Sequence, residues 1–240
     1  MSTSEKGHAR NLANANLINS YITQLIAIYK PSNPHLAPDK LQTLYSNAFS
    51  CQQNVNAVFP PYTFAVDARK AVFAPVSKKV TKLRKVYKTT HGVTEAQMED
   101  FMAIARKLKG VRKAQPDAPV TPETEQSQHS VSQMSYDQRT SNYGQMIQLL
   151  QMTPNYAPNE TEYQIATLQE EKEQMMQSTQ QVADTYFPLS MARDQRNKIM
   201  YTDINNLLDT FNKARDYLFT ILDNDSVQYK DILKIKFKKP

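Results

Sequence analysis

Apolar residues recur every three or four positions along most of this chain, and that spacing restricts its fold more than any other feature. It is the spacing of one face of an α-helix and not of a β-strand. Only four glycines occur in the 240 residues, whereas β-hairpins depend on glycine and on Asn-Gly pairs at their turns. The sequence therefore predicts an all-α protein.

Proline and glycine divide the periodic pattern into separate predicted helices. In the first half, the pattern predicts a helix over about 10–30 and a second helix from Pro38 to a break or hard kink at Pro60 and Pro61. A third helix is predicted over about 63–89, with a kink or restart at Pro75. A fourth is predicted to begin at a capping box formed by Thr94 and Gln97 and to end at a cap at Gly110. In the second half it predicts helices over about 133–152, over a stretch that ends near Tyr186, and over about 190–223. The last of these carries a heptad seam, typical of a coiled coil or of an ordinary bundle helix: Met200, Ile204, Leu207, Phe211, Ala214, Leu218 and Ile221.

The same order of signals occurs twice along the chain. An Ala-Pro helix start, a Phe-Pro break and an Ala-Arg pair follow one another in both halves, at Ala37-Pro38 and Ala157-Pro158, Phe59-Pro60 and Phe187-Pro188, and Ala68-Arg69 and Ala192-Arg193. Against a duplication stands the fact that any helical protein shows helices interrupted by prolines. We interpret the pattern as a tandem duplicated helical bundle, with about three long helices and a short terminal element in each repeat.

This duplication predicts three regions. Residues 1–113 form a basic helical repeat 1, and residues 132–240 form a helical repeat 2 with a basic C-terminal tail. Between them, residues 114–131 are rich in proline, glutamine and serine and nearly free of apolar side chains, which is typical of a linker. The two halves form either two bundles or one elongated bundle.

Four stretches of the sequence resemble a known group of proteins. "GHARNLAN" at 7–14, "QMSYDQR" at 133–139, "YAPNETEYQIATL" at 156–168 and "QYKDILKIKFKKP" at 228–240 are similar to an uncharacterised bacterial family of duplicated all-helical proteins. The resemblance covers most of the chain and implies the same duplicated layout. That family has no established activity, so the resemblance implies no site residues.

The sequence offers little material for catalysis or for cofactor binding. The single cysteine, Cys51, fits a small core residue, and His8, His35, His91 and His129 fall in predicted tail, loop or linker segments. The cluster of Glu170, Glu171 and Glu173 lacks the histidine of a di-iron motif and is interpreted as a solvated helix face. Glycine-rich phosphate loops and nucleophile motifs are missing from the sequence. We therefore predict no enzyme, no cofactor, no metal and no small-molecule substrate.

Charge is distributed unequally between the two halves. Residues 1–113 contain 17 Lys and Arg against 6 Asp and Glu, whereas residues 114–240 contain 12 against 17. The candidate interaction surface comprises the cations that cluster late in the first half: Lys78, Lys79, Lys82, Arg84, Lys85, Lys88, Arg106, Lys107, Lys109, Arg112 and Lys113. Three interpretations remain open: a solvated face, a docking surface for the acidic second half within one chain or between copies, and a site for nucleic acid or anionic lipid.

The last segment shows a different period. Leu233, Ile235 and Phe237 alternate with lysines at a period of two, which is typical of a short strand. Such a strand pairs with the "LKGVR" segment at 108–112 or with another chain, and the alternative is a frayed basic tail. The three apolar residues complete the candidate interaction surface.

These observations favour a non-catalytic structural or interaction protein that self-associates through opposed charge and long helical faces, or that binds a protein partner. Binding of a polyanion through the basic face of repeat 1 is one alternative, and a membrane-active helical protein is another. The sequence shows no signal peptide and no apolar run of membrane-spanning length, so a cytoplasmic location is the expectation.

Overall fold

The computed structural model describes residues 7–111 and 134–239, and within those ranges it contains helices and no strand. Eight α-helices are present there: α1 (His8–Gln24), α2 (Pro38–Phe73), α3 (Val76–Thr89), α4 (Glu95–Lys109), α5 (Tyr136–Met152), α6 (Ile165–Asn197), α7 (Leu207–Ile221) and α8 (Val227–Leu233). Short 3₁₀ turns at Pro34–Leu36 and Thr161–Tyr163 precede α2 and α6, and a π turn at Lys198–Thr202 follows α6. The all-α prediction is confirmed.

Some predictions concern residues that the structure does not describe. The 114–131 linker, His129, Arg112 and Lys113 lie outside the described ranges. Among the helices that are described, none combines the length and the hydropathy of a transmembrane span.

The chain divides into two compact units that cut across the predicted repeats. Unit 1 comprises Met1–Tyr62 and Thr185–Pro240, and unit 2 comprises Thr63–Asp184. Each unit therefore takes helices from both halves of the sequence, and the predicted regions 1–113 and 132–240 do not coincide with the compact units. The physical reason is that α2 and α6 continue through the points at which the sequence predicts breaks, so each of them contributes to both units.

The predicted helix ends at Phe59-Pro60 and Phe187-Pro188 are wrong, whereas the alternative of a kink at Pro60 and Pro61 stays a prediction. Pro60 and Pro61 lie inside α2, and Pro188 lies inside α6. A proline removes the hydrogen bond to the carbonyl four residues earlier, but Asn56 and Ala57 are exposed, so water can reach their carbonyl groups. A break does occur at Pro75, where α2 ends and α3 begins, as the sequence predicted.

Other helix boundaries follow local sequence signals. Pro38 begins α2 as expected, and Thr94 and Gln97 form the predicted capping box of α4. Gly110 caps the same helix in the left-handed conformation, with φ of 66°. Pro158, in contrast, does not begin a helix, because α6 begins only at Ile165.

The two halves show the same order of elements. Each has a 17-residue helix, a 3₁₀ turn and a helix of more than 30 residues, followed by two shorter helices. The Tyr29 hydroxyl donates to the Leu36 carbonyl at 3.0 Å, and the Tyr156 hydroxyl donates to the Tyr163 carbonyl at 2.8 Å. This parallel accords with the duplication, which stays a prediction.

Unit 1 has a core built mainly from α1, the beginning of α2, α7 and α8. Its buried side chains include Ile18, Ile22, Leu41, Ala48, Leu207, Phe211, Leu218 and Ile232. The predicted heptad seam over 197–222 is wrong as one continuous helix, because the π turn and the following turn interrupt it, although Met200 in the π turn is buried. Ile204 falls in this interruption and is 94% exposed, whereas the seam positions from Leu207 to Leu218 are buried.

Unit 2 has its own core, in which α3 packs on α4 and α4 packs on α5. The predicted apolar face of α3 is fully buried and comprises Val76, Val80, Leu83 and Tyr87. The Tyr87 ring stacks on Phe101 at a centroid distance of 4.9 Å, and its hydroxyl lies 3.0 Å from Thr153 Oγ1. These contacts fix the orientation of α3 and hence the direction of its basic face.

Candidate interaction surface and polar cleft

The basic face of α3 lies opposite its buried stripe. The helix contains no acidic residue, and four of its cations are exposed on the side away from the core: Lys78, Lys82, Lys85 and Lys88. Arg84 is exposed as well. These cations share one outward helix face, because burial of Val76, Val80 and Leu83 forces the intervening side chains outward. Their role as an interaction surface stays a prediction.

Two lysines of α3 contact glutamates of the second half of the sequence. Lys79 Nζ forms an ion pair with Glu171 Oε1 and donates to the Glu162 carbonyl at 3.2 Å. Lys82 Nζ lies 3.9 Å from Glu162 Oε1. The pKa of Glu162 is lowered, first by a hydrogen bond with Tyr163 and then by the charges of Lys82 and Lys79. For these two lysines, the basic first half meets the acidic second half within one chain.

The cations of α4 occupy different environments. Lys109 Nζ donates to Thr81 Oγ1 at 2.6 Å and so joins α4 to α3. Lys107 is exposed and Arg106 is half-buried. Lys109 therefore reaches an exposed hydroxyl on the outward side of α3, next to Lys82, whereas Arg106 is partly withdrawn from the surface.

Glu171 also belongs to a buried polar network. Tyr143 on α5 is 1% exposed, and its hydroxyl donates to Glu171 Oε2 at 2.6 Å. Burial raises the pKa of Tyr143 above its ordinary value, and the hydrogen bond to Glu171 and the carboxylate charge raise it further. The interpretation of Glu171 as part of a solvated face is wrong, because its side chain lies between Lys79 and Tyr143.

A cleft opens beside this network. Its volume is about 200 Å³, and its other walls are formed by Ala71, Val72, Pro75, Val76, Gln174 and Met175. Sequence reasoning missed this arrangement because Lys79, Tyr143 and Glu171 lie on three helices that are far apart in the chain. No local motif marks them.

No family model, curated protein or solved structure matches the chain. The resemblance to a bacterial family therefore stays a prediction, and the residues of the chain alone carry the argument about function.

Histidine and cysteine residues do not take all the positions that the sequence predicted. His8 is buried as the first residue of α1, and its Nδ1 lies 2.8 Å from the Tyr201 hydroxyl, so its assignment to a solvated tail is wrong. Cys51 is half-buried. Within residues 7–111 and 134–239, no group of three or more His, Cys, Asp and Glu side chains is arranged to hold a metal ion.

The segment after α8 is docked in the core of unit 1. Leu233 is the last residue of α8 and is exposed, Ile235 is buried, and Phe237 packs against the core. The predicted alternation of apolar and exposed side chains holds for Ile235 and Phe237 but not for Leu233. The prediction of a strand is wrong, and so is the alternative of a frayed tail. Ile235 and Phe237 are therefore not free to serve as an interaction surface.

Side chains of α1 and α7 hold the backbone of this segment. Asn11 Nδ2 donates to the Lys238 carbonyl at 2.7 Å, and Asn11 Oδ1 accepts from the Lys238 N–H at 3.2 Å. Asn14 Nδ2 donates to the Lys236 carbonyl at 2.9 Å, and Arg215 donates to the Ile235 carbonyl at 3.0 Å. Side chains thus provide hydrogen bonds that a neighbouring strand would otherwise provide.

Proposed function

We propose that the protein is a non-catalytic helical interaction protein that associates with further copies of itself through exposed apolar faces of its long helices. The observation that carries the proposal is the exposure of Phe187 and Met191, which are 68% and 45% exposed. They lie four residues apart and therefore on the same face of α6.

A similar exposed aromatic side chain occurs on the other long helix. Phe64 of α2 is 72% exposed, although α2 and α6 both bury other faces in their units. Phe187 and Met191 are neighbours on one helix face, and large apolar side chains that are exposed next to each other mark interaction sites more often than isolated ones do. A second copy presents the same surface, so contact between two copies would be self-complementary.

Pairing of charge within the chain favours apolar faces over opposed charge as the means of association. Lys79 and Lys82 contact Glu171 and Glu162 of the same molecule. These charges consequently contribute less to attraction between copies than the sequence alone suggested.

Light scattering during size-exclusion chromatography over a concentration series tests the proposal. We expect the wild-type mass to rise with concentration and the Phe187→Ser/Met191→Ser variant to remain monomeric. Ile204→Ser is the matched control, because Ile204 is even more exposed but lies in the bend before α7. A wild-type protein that stays monomeric at every concentration, or a double variant that associates as the wild type does, would remove the proposal.

Binding of a polyanion is a second candidate, and the outward cations of α3 favour it. Lys78, Lys82, Lys85 and Lys88 are exposed on a helix without any acidic residue. Such a face binds phosphate groups through charge and does not distinguish base sequences. Its binding therefore weakens steeply as the salt concentration rises.

An electrophoretic shift assay with duplex DNA at low salt tests this candidate, and vesicles with anionic lipid form the second arm. We expect Lys78→Glu/Lys85→Glu to abolish the shift, whereas Lys213→Glu/Lys230→Glu, which alters two exposed lysines of unit 1, should preserve it. Absence of binding in both arms, or equal loss in both variants, would exclude the α3 face as a polyanion site.

A further inference from the structure

We propose that the cleft of unit 2 binds a small neutral molecule with an apolar body and a head group that offers a hydrogen-bond acceptor beside a donor, as a primary carboxamide does. This inference is independent of self-association. It rests on the partly buried network of Lys79, Glu171 and Tyr143, on the cleft beside it, and on the different residues that unit 1 has at the corresponding places.

Unit 1 provides an internal comparison, because its helices place buried residues at the same spacing. The buried positions of α3 (Val76, Val80, Leu83 and Tyr87) and of α7 (Leu207, Phe211, Ala214 and Leu218) have identical intervals. In the same way, Ile18 and Ile22 of α1 correspond to Met146 and Leu150 of α5, and Leu41 and Ala48 of α2 correspond to Leu168 and Met175 of α6.

The polar network has no counterpart in unit 1. In this correspondence, Ala15 takes the place of Tyr143, Leu44 that of Glu171, and Thr210 that of Lys79. Ala15 and Thr210 are buried, and Leu44 packs against the core of unit 1. In unit 1 the corresponding helices α1 and α7 pack directly on each other without an ion pair at this position.

Stability is a weak explanation for the ion pair in unit 2. Removing Lys79 and Glu171 from water is unfavourable, and well-packed apolar residues at such positions are often equally or more stabilising. Their side chains are only 16% and 28% exposed. Charged groups that are partly withdrawn from water at the wall of a cleft favour a role in binding.

The shape of the cleft defines the body of the ligand. Its floor consists of the buried residues Val76, Tyr143 and Met175, and its mouth is lined by the exposed residues Ala71 and Pro75. The volume of about 200 Å³ corresponds to that of about seven water molecules in the liquid. A chain or ring of about the same number of non-hydrogen atoms fits this space.

The network defines the head group. An ammonium group has three donors, and Glu171 and the Glu162 carbonyl take two of those of Lys79. The Glu171 carboxylate accepts from Lys79 and Tyr143 and retains further lone pairs. An amide can accept from Lys79 and donate to Glu171. A carboxylate would instead meet the charge of Glu171, and an ammonium would meet that of Lys79.

Methyl NMR of the full chain with ¹³C-labelled methionine tests the proposal, with hexanamide, hexanoate and hexylamine as probes. Met175 lies in the floor of the cleft, and its signal is assigned with Met175→Leu. We expect hexanamide to shift the Met175 signal saturably, and the two charged probes to bind at least about tenfold more weakly because like charges oppose them. A Met175 signal that no probe shifts, or that all three shift with equal affinity, overturns the proposal.

Variants separate the cleft from the rest of the chain. Lys79→Met/Glu171→Leu replaces the ion pair by apolar side chains and should abolish the hexanamide shift. Lys85→Met/Glu173→Leu removes one exposed cation and one exposed anion and should leave the shift intact. Ala71→Trp blocks the mouth without altering the core, so it provides the same test if the first variant loses its circular dichroism signal. Unchanged binding in Ala71→Trp places the probe elsewhere and refutes the assignment.

Discussion

The hydrogen bonds of Asn11 to the segment after α8 lead to a quantitative prediction. Asn11 is 2% exposed on α1. Its side chain makes one hydrogen bond with the Tyr201 hydroxyl, at 3.2 Å, and two with the backbone of Lys238. Asn11→Ala removes all three while leaving α1 able to form, because alanine is the better helix former.

The expected cost follows from these contacts. The two hydrogen bonds with Lys238 are the ones lost when the segment undocks, and each contributes about 1 kcal/mol net, so together they contribute about 2 kcal/mol to docking. The Tyr201 bond and the helix propensity at position 11 are the same whether or not the segment is docked, so they do not enter this figure. We therefore expect Asn11→Ala to reduce the stability of the docked segment by about 2 kcal/mol.

Amide hydrogen exchange at Lys238 measures this effect directly. A loss of about 2 kcal/mol corresponds to about 30-fold faster exchange of the Lys238 N–H. Asn16→Ala is the matched control, because Asn16 is exposed on the same helix. If Lys238 exchanges at the same rate in the wild type, Asn11→Ala and Asn16→Ala, then Asn11 does not hold the segment.

Three further predictions concern the free energy of unfolding, measured by urea denaturation. Lys79→Met should destabilise the protein by about 1–3 kcal/mol, because it leaves Glu171 without its ion-pair partner. Adding Glu171→Leu should restore the stability to within about 1 kcal/mol of the wild type, and equal effects of the single and double variants would contradict this expectation. Pro61→Ala should stabilise by about 1–3 kcal/mol, because it restores a hydrogen bond within α2, and a destabilised variant would show that the proline is required there. Phe211→Ala should cost about 3–5 kcal/mol and Ile204→Ser less than about 0.5 kcal/mol, whereas similar costs would indicate a continuous heptad seam.

The sequence predicted those features that depend on neighbouring residues. The buried stripe of α3, the capping box and glycine cap of α4, and the start of α2 at Pro38 all occur where the pattern placed them. Each of these depends on contacts within a few turns of one helix, so it can be read from spacing and residue type.

Predictions that depended on the surroundings of a residue were less reliable. Pro60 and Pro188 resemble helix breaks in sequence, but both are tolerated on exposed helix faces. Ile204 continues the heptad spacing but falls in a bend. Ile235 and Phe237 have the period of a strand, yet side chains of α1 and α7 take the role of the partner strand.

The sequence by itself determined the helical class, most of the apolar faces and the concentration of cations on α3, because helical periodicity and charge are local properties. Only the tertiary structure decided that α2 and α6 contribute to both compact units. It alone brought Lys79, Tyr143 and Glu171 together. Such contacts depend on which helices pack together and in what register. No spacing along a single segment encodes that choice, because it depends on how all the apolar faces are buried at once.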